Sequence, residues 1–307
     1  MQTAFLSHPL CRKHEMGGHH PESPMRLAAI EEALIEANLL DFLPHFTAPA
    51  ATREQLLRVH TVEYLERLER LAPSEGRVAL DADTAMNPFT LPAALHAAGA
   101  GVLAVDLVLA GRVRNAFCSV RPPGHHALPG RAMGFCIFNN VAVAAAHALA
   151  AHGLSRVAIA DFDVHHGNGS EAMFHADPRV LLLSTFQHPF YPHCGADSGN
   201  EHIVNVPLAA GSGGEAFRAA VERHWLPALE RFAPELLLIS AGFDGHRDDE
   251  MAQLRLVESD YRWISEQLLA VAARHCSGRI VSLLEGGYEP HALGRSALAH
   301  LKVLSGL

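Results

Sequence analysis

Seven short apolar runs constrain this chain more than anything else in it: Thr3–Leu6, Ala116–Val120, Val157–Ala160, Val180–Ser184, Ile203–Val206, Leu236–Ser240 and Ile280–Leu284. Most are near-continuous rather than alternating, which is how strands read when both of their faces are covered. Helical patterns separate them, at Pro24–Glu36, Arg53–Val59, Val62–Leu71, Leu91–Ala110, Asn139–His152, Gly214–Phe232, Ser259–Cys276 and Pro290–Leu304. Strand–helix–strand order predicts an α/β fold, a mainly parallel β-sheet with helices on both faces. Local signals agree. Ser23 with Pro24 reads as an N-cap and first helical residue. Thr52 with Gln55, and Thr90 before Leu91, mark further helix starts. Gly111 and Gly153 mark helix ends, and Gly211–Gly214 reads as a helix entry. No linker, repeat or low-complexity tract divides the chain, so residues 1–307 are expected to form a single domain.

Composition narrows the function. Hydrophobic residues make up 49% and charged residues 19%, with mean hydropathy +0.09. That excludes a disordered chain, a collagen and a long coiled coil. Lys plus Arg is 24 against Asp plus Glu 33, a net charge of -9, without a basic block. A nucleic-acid partner is therefore not expected; an acidic surface suits cationic small substrates or basic peptides. The 5 cysteines are scattered and form no CxxC, the pattern of free thiols in a reducing compartment. The first residues show neither a charged start nor a long apolar stretch, so no signal peptide is expected. The most apolar stretch, Leu91–Gly111, contains His96 and Asp106 and reads as a buried helix rather than a membrane span. The expectation is a cytoplasmic protein with no membrane partner; an oligomer is compatible with the sequence.

Sites in open parallel sheets form beyond the carboxyl ends of the strands. Four of the runs end there in acids, histidines or a tyrosine beside glycine: Arg121–His126, Asp161–Gly169, Ser240–Asp244 and Glu285–Tyr288. Turns explain one or two such segments, but hardly four. In extended chain, Asp161, Asp163 and His165 share one face. With Asp244, the residues Asp163 and His165 make three ligands for one divalent ion and leave a position for water, as catalytic zinc sites do. Iron(II) or cobalt would also suit this donor set. His125 and His126, after a rigid Pro-Pro-Gly turn, are candidates for general base and acid. Tyr288 could donate to a developing oxyanion.

Together these blocks resemble the histone deacetylase / acetylpolyamine amidohydrolase family, in its class II-like bacterial branch. The blocks are His14–Gly17 with His20–Glu22, Arg121–Ala127, Gly134–Asn140, Asp161–Gly169, Val204–Leu208, Ser240–Asp249 and Glu285–Tyr288, in family order along nearly the whole chain. The resemblance implies an arginase/deacetylase-like fold with zinc on Asp163, His165 and Asp244. It makes His126 the principal base and acid, His125 its electrostatic partner and Tyr288 the group that polarises the acyl carbonyl. Asp161 would orient His125. Asn168 stands where class I members carry an aspartate, which should lower the pKa of His126 relative to an Asp-backed imidazole. Gly134, Phe135 and Tyr191 would line a narrow channel; the family usually has Phe at the last position. A potassium ion would use backbone carbonyls of Asp161, Asp163 and His165 with Ser184 and Thr185. Asp83 is a candidate for gripping substrate amides, an ordinary surface turn being the equal alternative.

The expected activity is zinc-dependent removal of an acetyl or related acyl group from lysine side chains of proteins or peptides. The alternative substrate is an acetylated polyamine, which goes with an acidic gatekeeper after the third ligand. By the simplest register Met251 takes that place, with Glu250 one residue off. A ureohydrolase on the related fold would carry two metals and more aspartates, and the tandem histidines and Tyr288 argue against it. A non-catalytic binding module would have no use for a complete set of catalytic positions. The other histidines, among them His147, His152 and His300 on helices, read as solvated or core residues. His14, His19 and His20 belong to the N-terminal loop, as pocket rim or as structure.

Overall fold

The computed structural model describes residues 2–307. Its strands, in chain order, are β1 (Thr3–Ser7), β2 (His45–Thr47), β3 (Val78–Ala79), β4 (Ala85–Met86), β5 (Asn115–Cys118), β6 (Val157–Asp161), β7 (Val180–Gln187), β8 (Ile203–Leu208), β9 (Leu236–Ala241) and β10 (Ile280–Leu284). The helices are α1 (Met25–Glu36), α2 (Arg53–Leu56), α3 (Val62–Leu71), α4 (Thr90–Leu109), α5 (Asn140–Ala151), α6 (Asn168–Phe174), α7 (Gly214–Ala220), α8 (Leu226–Phe232), α9 (Glu258–His275) and α10 (Pro290–Ser305).

Eight strands form one sheet in the order β2-β1-β5-β10-β9-β6-β7-β8, with every neighbouring pair parallel. β3 and β4 form a separate antiparallel ribbon. Strands β5, β6, β7, β9 and β10 are buried at every residue, the physical reason their sequences do not alternate. Both faces are covered. On β10, Ser282 Oγ meets His300 of α10, while the next residue, Leu283, packs against Gly101 of α4. A Cβ on Gly101 would press on Leu283 and on Ala144 of α5, so small residues let these two helices lie close to the sheet and to each other. The most apolar window of α4 is 67% buried, and the helix belongs to the core.

The element boundaries differ from the sequence expectation where a side chain has other partners. Pro24, not Ser23, occupies the cap of α1, and Ser23 contributes only its carbonyl, to Arg26 N. Helix α4 begins at Thr90 itself, whose hydroxyl is engaged by Asn87 and His14. The predicted helix over 214–232 contains a π turn at Val221–Trp225; Pro227 lacks the N–H that a regular helix would need there. The Thr52–Gln55 capping box forms as expected, but its helix stops at Leu56. Sequence reading missed β2, β3, β4 and α6, which are too short to show a period.

The strand order positions the site. β5, β10, β9 and β6 are consecutive neighbours, and their carboxyl ends are level: Cys118 stands opposite Leu283, Leu284 opposite Ala241, and Ser240 opposite Asp161. The segments leaving these ends are the ones that carry the acids, imidazoles and tyrosine.

Candidate active site

Strand β6 stops at Asp161, and the residues after it are not extended. Asp161 Oδ1 accepts the N–H of Asp163 (3.2 Å), and Asp163 Oδ1 accepts that of His165 (2.9 Å). Successive side-chain-to-backbone turns, rather than a strand face, thus bring alternate residues to one side. Phe162 and Val164 go to the core instead, at 2% and 1% exposure. Asp244, from the segment after β9, completes the group: ligand atoms of Asp163, His165 and Asp244 all lie within 4.8 Å of one another. Gly286 N donates to Asp163 Oδ2 (2.8 Å) and Val164 N to Asp244 Oδ1 (3.0 Å), which fixes both carboxylates.

These groups fit a divalent cation. Asp161, Asp163, Asp244 and Glu285 are all buried, and among the described residues no lysine or arginine side chain pairs with any of them. So much buried negative charge is costly without a counterion. Asp244 Oδ2 is a buried atom with no hydrogen-bond donor. His165 Nδ1 is 3.2 Å from it, but the well-directed hydrogen bond goes to Asp163 Oδ1 at 3.1 Å. Burial opposes a charge on His165, yet its hydrogen bond to Asp163 and the nearby carboxylates of Asp163 and Asp244 push its pKa up to about 10. Burial, with the charge of Asp163, raises Asp244 to about 6. Both shifts have the same cause, an excess of buried carboxylate that a divalent cation would relieve. A Cβ on Gly286 would overlap Asp244, and one on Gly242 would overlap Asp163, so both glycines keep this cradle open.

The segment after β5 supplies two imidazoles with opposite characters. His125 Nδ1 is 3.0 Å from Asp161 Oδ2. Despite burial, the charges of Asp161, Asp163 and Glu285 hold its pKa well above the usual value. His126 Nδ1 is 2.8 Å from Asn168 Oδ1, the first residue of α6. Burial, then the neighbouring charges of His125 and His165, pushes His126 well below the usual value. The two environments thus favour the protonated form of His125 and the neutral form of His126. Their backbone is fixed from two sides. Glu285 Oε2 accepts Gly124 N (2.6 Å) and His125 N (3.1 Å). Asn139, the N-cap of α5, donates to the carbonyls of His125 and Ala127 (both 3.3 Å).

A cavity of about 190 Å³ opens onto these groups, lined by Asp83, His126, Gly134, Phe135, His165, Phe190, Tyr191, Met251 and Tyr288. The structure therefore brings together every residue that the sequence singled out for the channel. Gly134 takes φ +55°, and a Cβ there would overlap His126 and approach Tyr191 OH. Glu250 is exposed, whereas Met251 faces the cavity. Burial raises the Tyr288 phenol well above its ordinary pKa, so it remains a donor. His20 packs edge-on against Phe135 (4.6 Å) and bonds the carbonyl of Asp83 (3.2 Å), which makes it part of the pocket rim. His14 is structural: it is buried beside Glu22, which also pairs with Arg121 and Arg26. Asp161 stands opposite Ser184 across the β6–β7 pair, and Thr185 follows on the same strand, both buried.

Sequence reasoning missed Phe190, whose ring stacks on His165 (5.6 Å, 21°). It also assigned no role to Glu285, Asn139 or Asp249. The available signals were an aromatic pair between prolines (Pro189–Pro192) for the first, and acids or amides inside already quoted motifs for the others. A larger cavity of about 550 Å³, between α9 and α10, holds no comparable group of chemistry-bearing side chains.

Comparisons with known proteins agree on one family. Residues 20–304 match the histone deacetylase domain. The chain is 38% identical to a histone deacetylase-like amidohydrolase of Pseudomonas aeruginosa, over 100% of this chain and 87% of the other. It is 38% identical to a probable deacetylase of Archaeoglobus fulgidus, over 94% and 82%. The crystal structure of the HDA15 HD domain superposes with a TM-score of 0.94 at 35% identity, covering 99% of this chain and 88% of that one.

Proposed function

The chain belongs to the histone deacetylase domain family, a family of deacetylase hydrolases, and from that premise we propose that it is a zinc-dependent amidohydrolase removing acetyl or related acyl groups from lysine side chains of peptides or proteins. A divalent ion on Asp163, His165 and Asp244 would polarise the acyl carbonyl and make water acidic enough to attack near neutral pH. His126 is the base. With Asn168 Oδ1 accepting from Nδ1, its Nε2 is free to take the proton of the attacking water and later to return it to the leaving amine. His125, whose protonated form Asp161 favours, is the electrostatic partner, 4.0 Å away ring to ring. The Tyr288 hydroxyl donates to the carbonyl oxygen as charge develops on it. The carrying observation is geometric: His126, bonded through Nδ1 to Asn168, lines the cavity beside Asp163, His165 and Asp244, whose ligand atoms all lie within 4.8 Å of one another.

The apolar walls, Phe135, Phe190, Tyr191 and Met251, suit the methylene stem of an acyl-lysine. Met251 lines the cavity while Glu250 is exposed, and an apolar residue rather than a carboxylate on that wall favours a peptide over an acetylated polyamine. A potassium ion at the carbonyls of Asp161, Asp163 and His165, with Ser184 and Thr185, belongs to the same proposal. So does a cytoplasmic location, which suits five unpaired cysteines. The test is a parallel kcat/KM measurement on an acetyl-lysine peptide and on acetylspermidine with zinc-, iron(II)- and cobalt-reconstituted protein. Preference for the peptide supports the reading. A strong polyamine preference transfers it to the alternative, and hydrolysis of neither removes it.

A further inference from the structure

Tyr288, the proposed carbonyl-polarising residue, stands on a glycine-rich loop. Tyr288 follows Gly286 and Gly287, and Gly287 takes φ +120°, a conformation few other residues adopt. A phenol that must meet one oxygen atom needs a backbone held in place, because about 1 Å of misplacement can cost roughly 10²-fold in rate. The structure grips this loop by both of its polar edges. Arg26 of α1 donates to the carbonyls of Glu285 and Gly287, and its guanidinium lies 4.9 Å from the centre of the Tyr288 ring. On the other edge stands Asp249, a carboxylate at 5% exposure. Its Oδ2 accepts the N–H of Tyr288 (2.6 Å) and of Glu289 (3.1 Å), while its Oδ1 accepts that of Met251 (3.0 Å).

We propose that Asp249 is a positioning residue that couples the Met251 wall of the substrate channel to Tyr288, through one carboxylate shared by the two loops. The coupling rests on the acyl-amide reading of Tyr288. A substrate that displaces Met251 moves Asp249, and with it the backbone from which the phenol projects. Channel occupancy and carbonyl polarisation are therefore linked in one rigid unit. Asp249 touches no reacting atom and acts only through Tyr288.

A double-mutant cycle separates this role from a general structural one. Asp249→Ala should lower kcat roughly 10²-fold in the wild-type background. In a Tyr288→Phe background, where the hydroxyl is already gone, it should cost no more than about threefold. Asp249→Asn keeps an acceptor on one edge only and should fall between. Equal losses in both backgrounds, or an unchanged kcat in the wild-type background, overturn the proposal. Hydrogen exchange supplies a readout independent of turnover. In metal-free Asp249→Asn protein the amides of Met251, Tyr288 and Glu289 should exchange roughly tenfold faster, while those of Ile280–Leu284 stay protected. Unchanged exchange in either loop refutes the shared anchor whether or not the enzyme acts. If wild-type protein hydrolyses no acyl-amine but these amides do respond, the anchor stands and the catalytic reading is what has failed.

Discussion

Among the described residues, two places bring histidine and aspartate side chains within metal-binding distance, and they differ in what surrounds those side chains. One is Asp163, His165 and Asp244 at the carboxyl ends of β6 and β9; the other is Asp106, His147 and His152 at the C-terminal ends of α4 and α5. In the second, both imidazoles place Nε2 2.7 Å from Asp106 Oδ1. Arg58 Nη1 stands 2.8 Å from His147 Nδ1. Arginine can only donate, so Nδ1 accepts and the ring proton sits on Nε2, aimed at the carboxylate. On His147 the lone pair a metal would need is taken by Arg58, and the Asp106 side chain is 46% exposed. At the first site Asp244 Oδ2 lacks a donor, no arginine or lysine neutralises the acids, and a cavity opens onto the group. Three donors within reach are common; three donors left short of positive charge are not.

That contrast breaks first at Asp244. Asp244→Ala should abolish hydrolysis and reduce bound zinc from one equivalent per chain to none, measured by elemental analysis after dialysis. Retention of a full equivalent would relocate the ion. Next in size is the base. His126→Ala should lose about 10²–10⁴-fold in kcat with the metal retained. Because burial, with the charge of His125, depresses the His126 pKa, wild-type kcat/KM should stay flat as pH falls through 6.5 and decline only below it. An acid limb at or above 6.5 would assign the base elsewhere. Tyr288→Phe, which removes one oxyanion donor, should cost roughly 10²–10³-fold.

Smaller effects sharpen the comparison. A Cβ on Gly286 would overlap Asp244 and crowd Asp163, whose Oδ2 accepts the Gly286 N–H. Gly286→Ala should therefore weaken zinc binding by about 10–100-fold, as loss of support around a ligand usually does. Competition against a fluorescent chelator would measure it. Unchanged affinity would mean that the loop gives way and that the cradle is not fixed by this glycine.

The sequence displayed the sheet because burial on both faces writes itself as unbroken apolar runs. It displayed the site because polar residues have no other reason to follow four such runs. It did not display how the segment after β6 turns, since a chain of Asx turns and an extended strand place alternate residues on the same side. Short elements such as β2 were invisible: His45–Thr47 is an edge strand whose outer residues are exposed. Asp249, Glu285 and Asn139 stood inside quoted motifs, but their contribution is to backbone N–H and C=O groups far away in the chain, and no local pattern encodes a long-range acceptor. His147 and His152 were read as solvated or core residues; their shared contact with Asp106 depends on two helices ending side by side.

The smallest expected effect tests the surface cluster itself. Asp106→Asn removes a charge that is half exposed and shared by two imidazoles that also have other neighbours. The cost in stability should be no more than about 1 kcal/mol, read from a urea midpoint, because exposed pairs are weak. Zinc stoichiometry and kcat should not move. Arg58→Ala is the more discriminating variant. Without the guanidinium, His147 can carry its proton on Nδ1 and turn a bare Nε2 toward Asp106 and His152, the arrangement a transition ion requires. A weak second equivalent of zinc that appears only in Arg58→Ala, and disappears again in Arg58→Ala with His152→Ala, would show that the arginine is what keeps this cluster from becoming a metal site. A second equivalent already present in the wild type would show instead that donor distance alone decides, and the distinction between the two clusters would be lost.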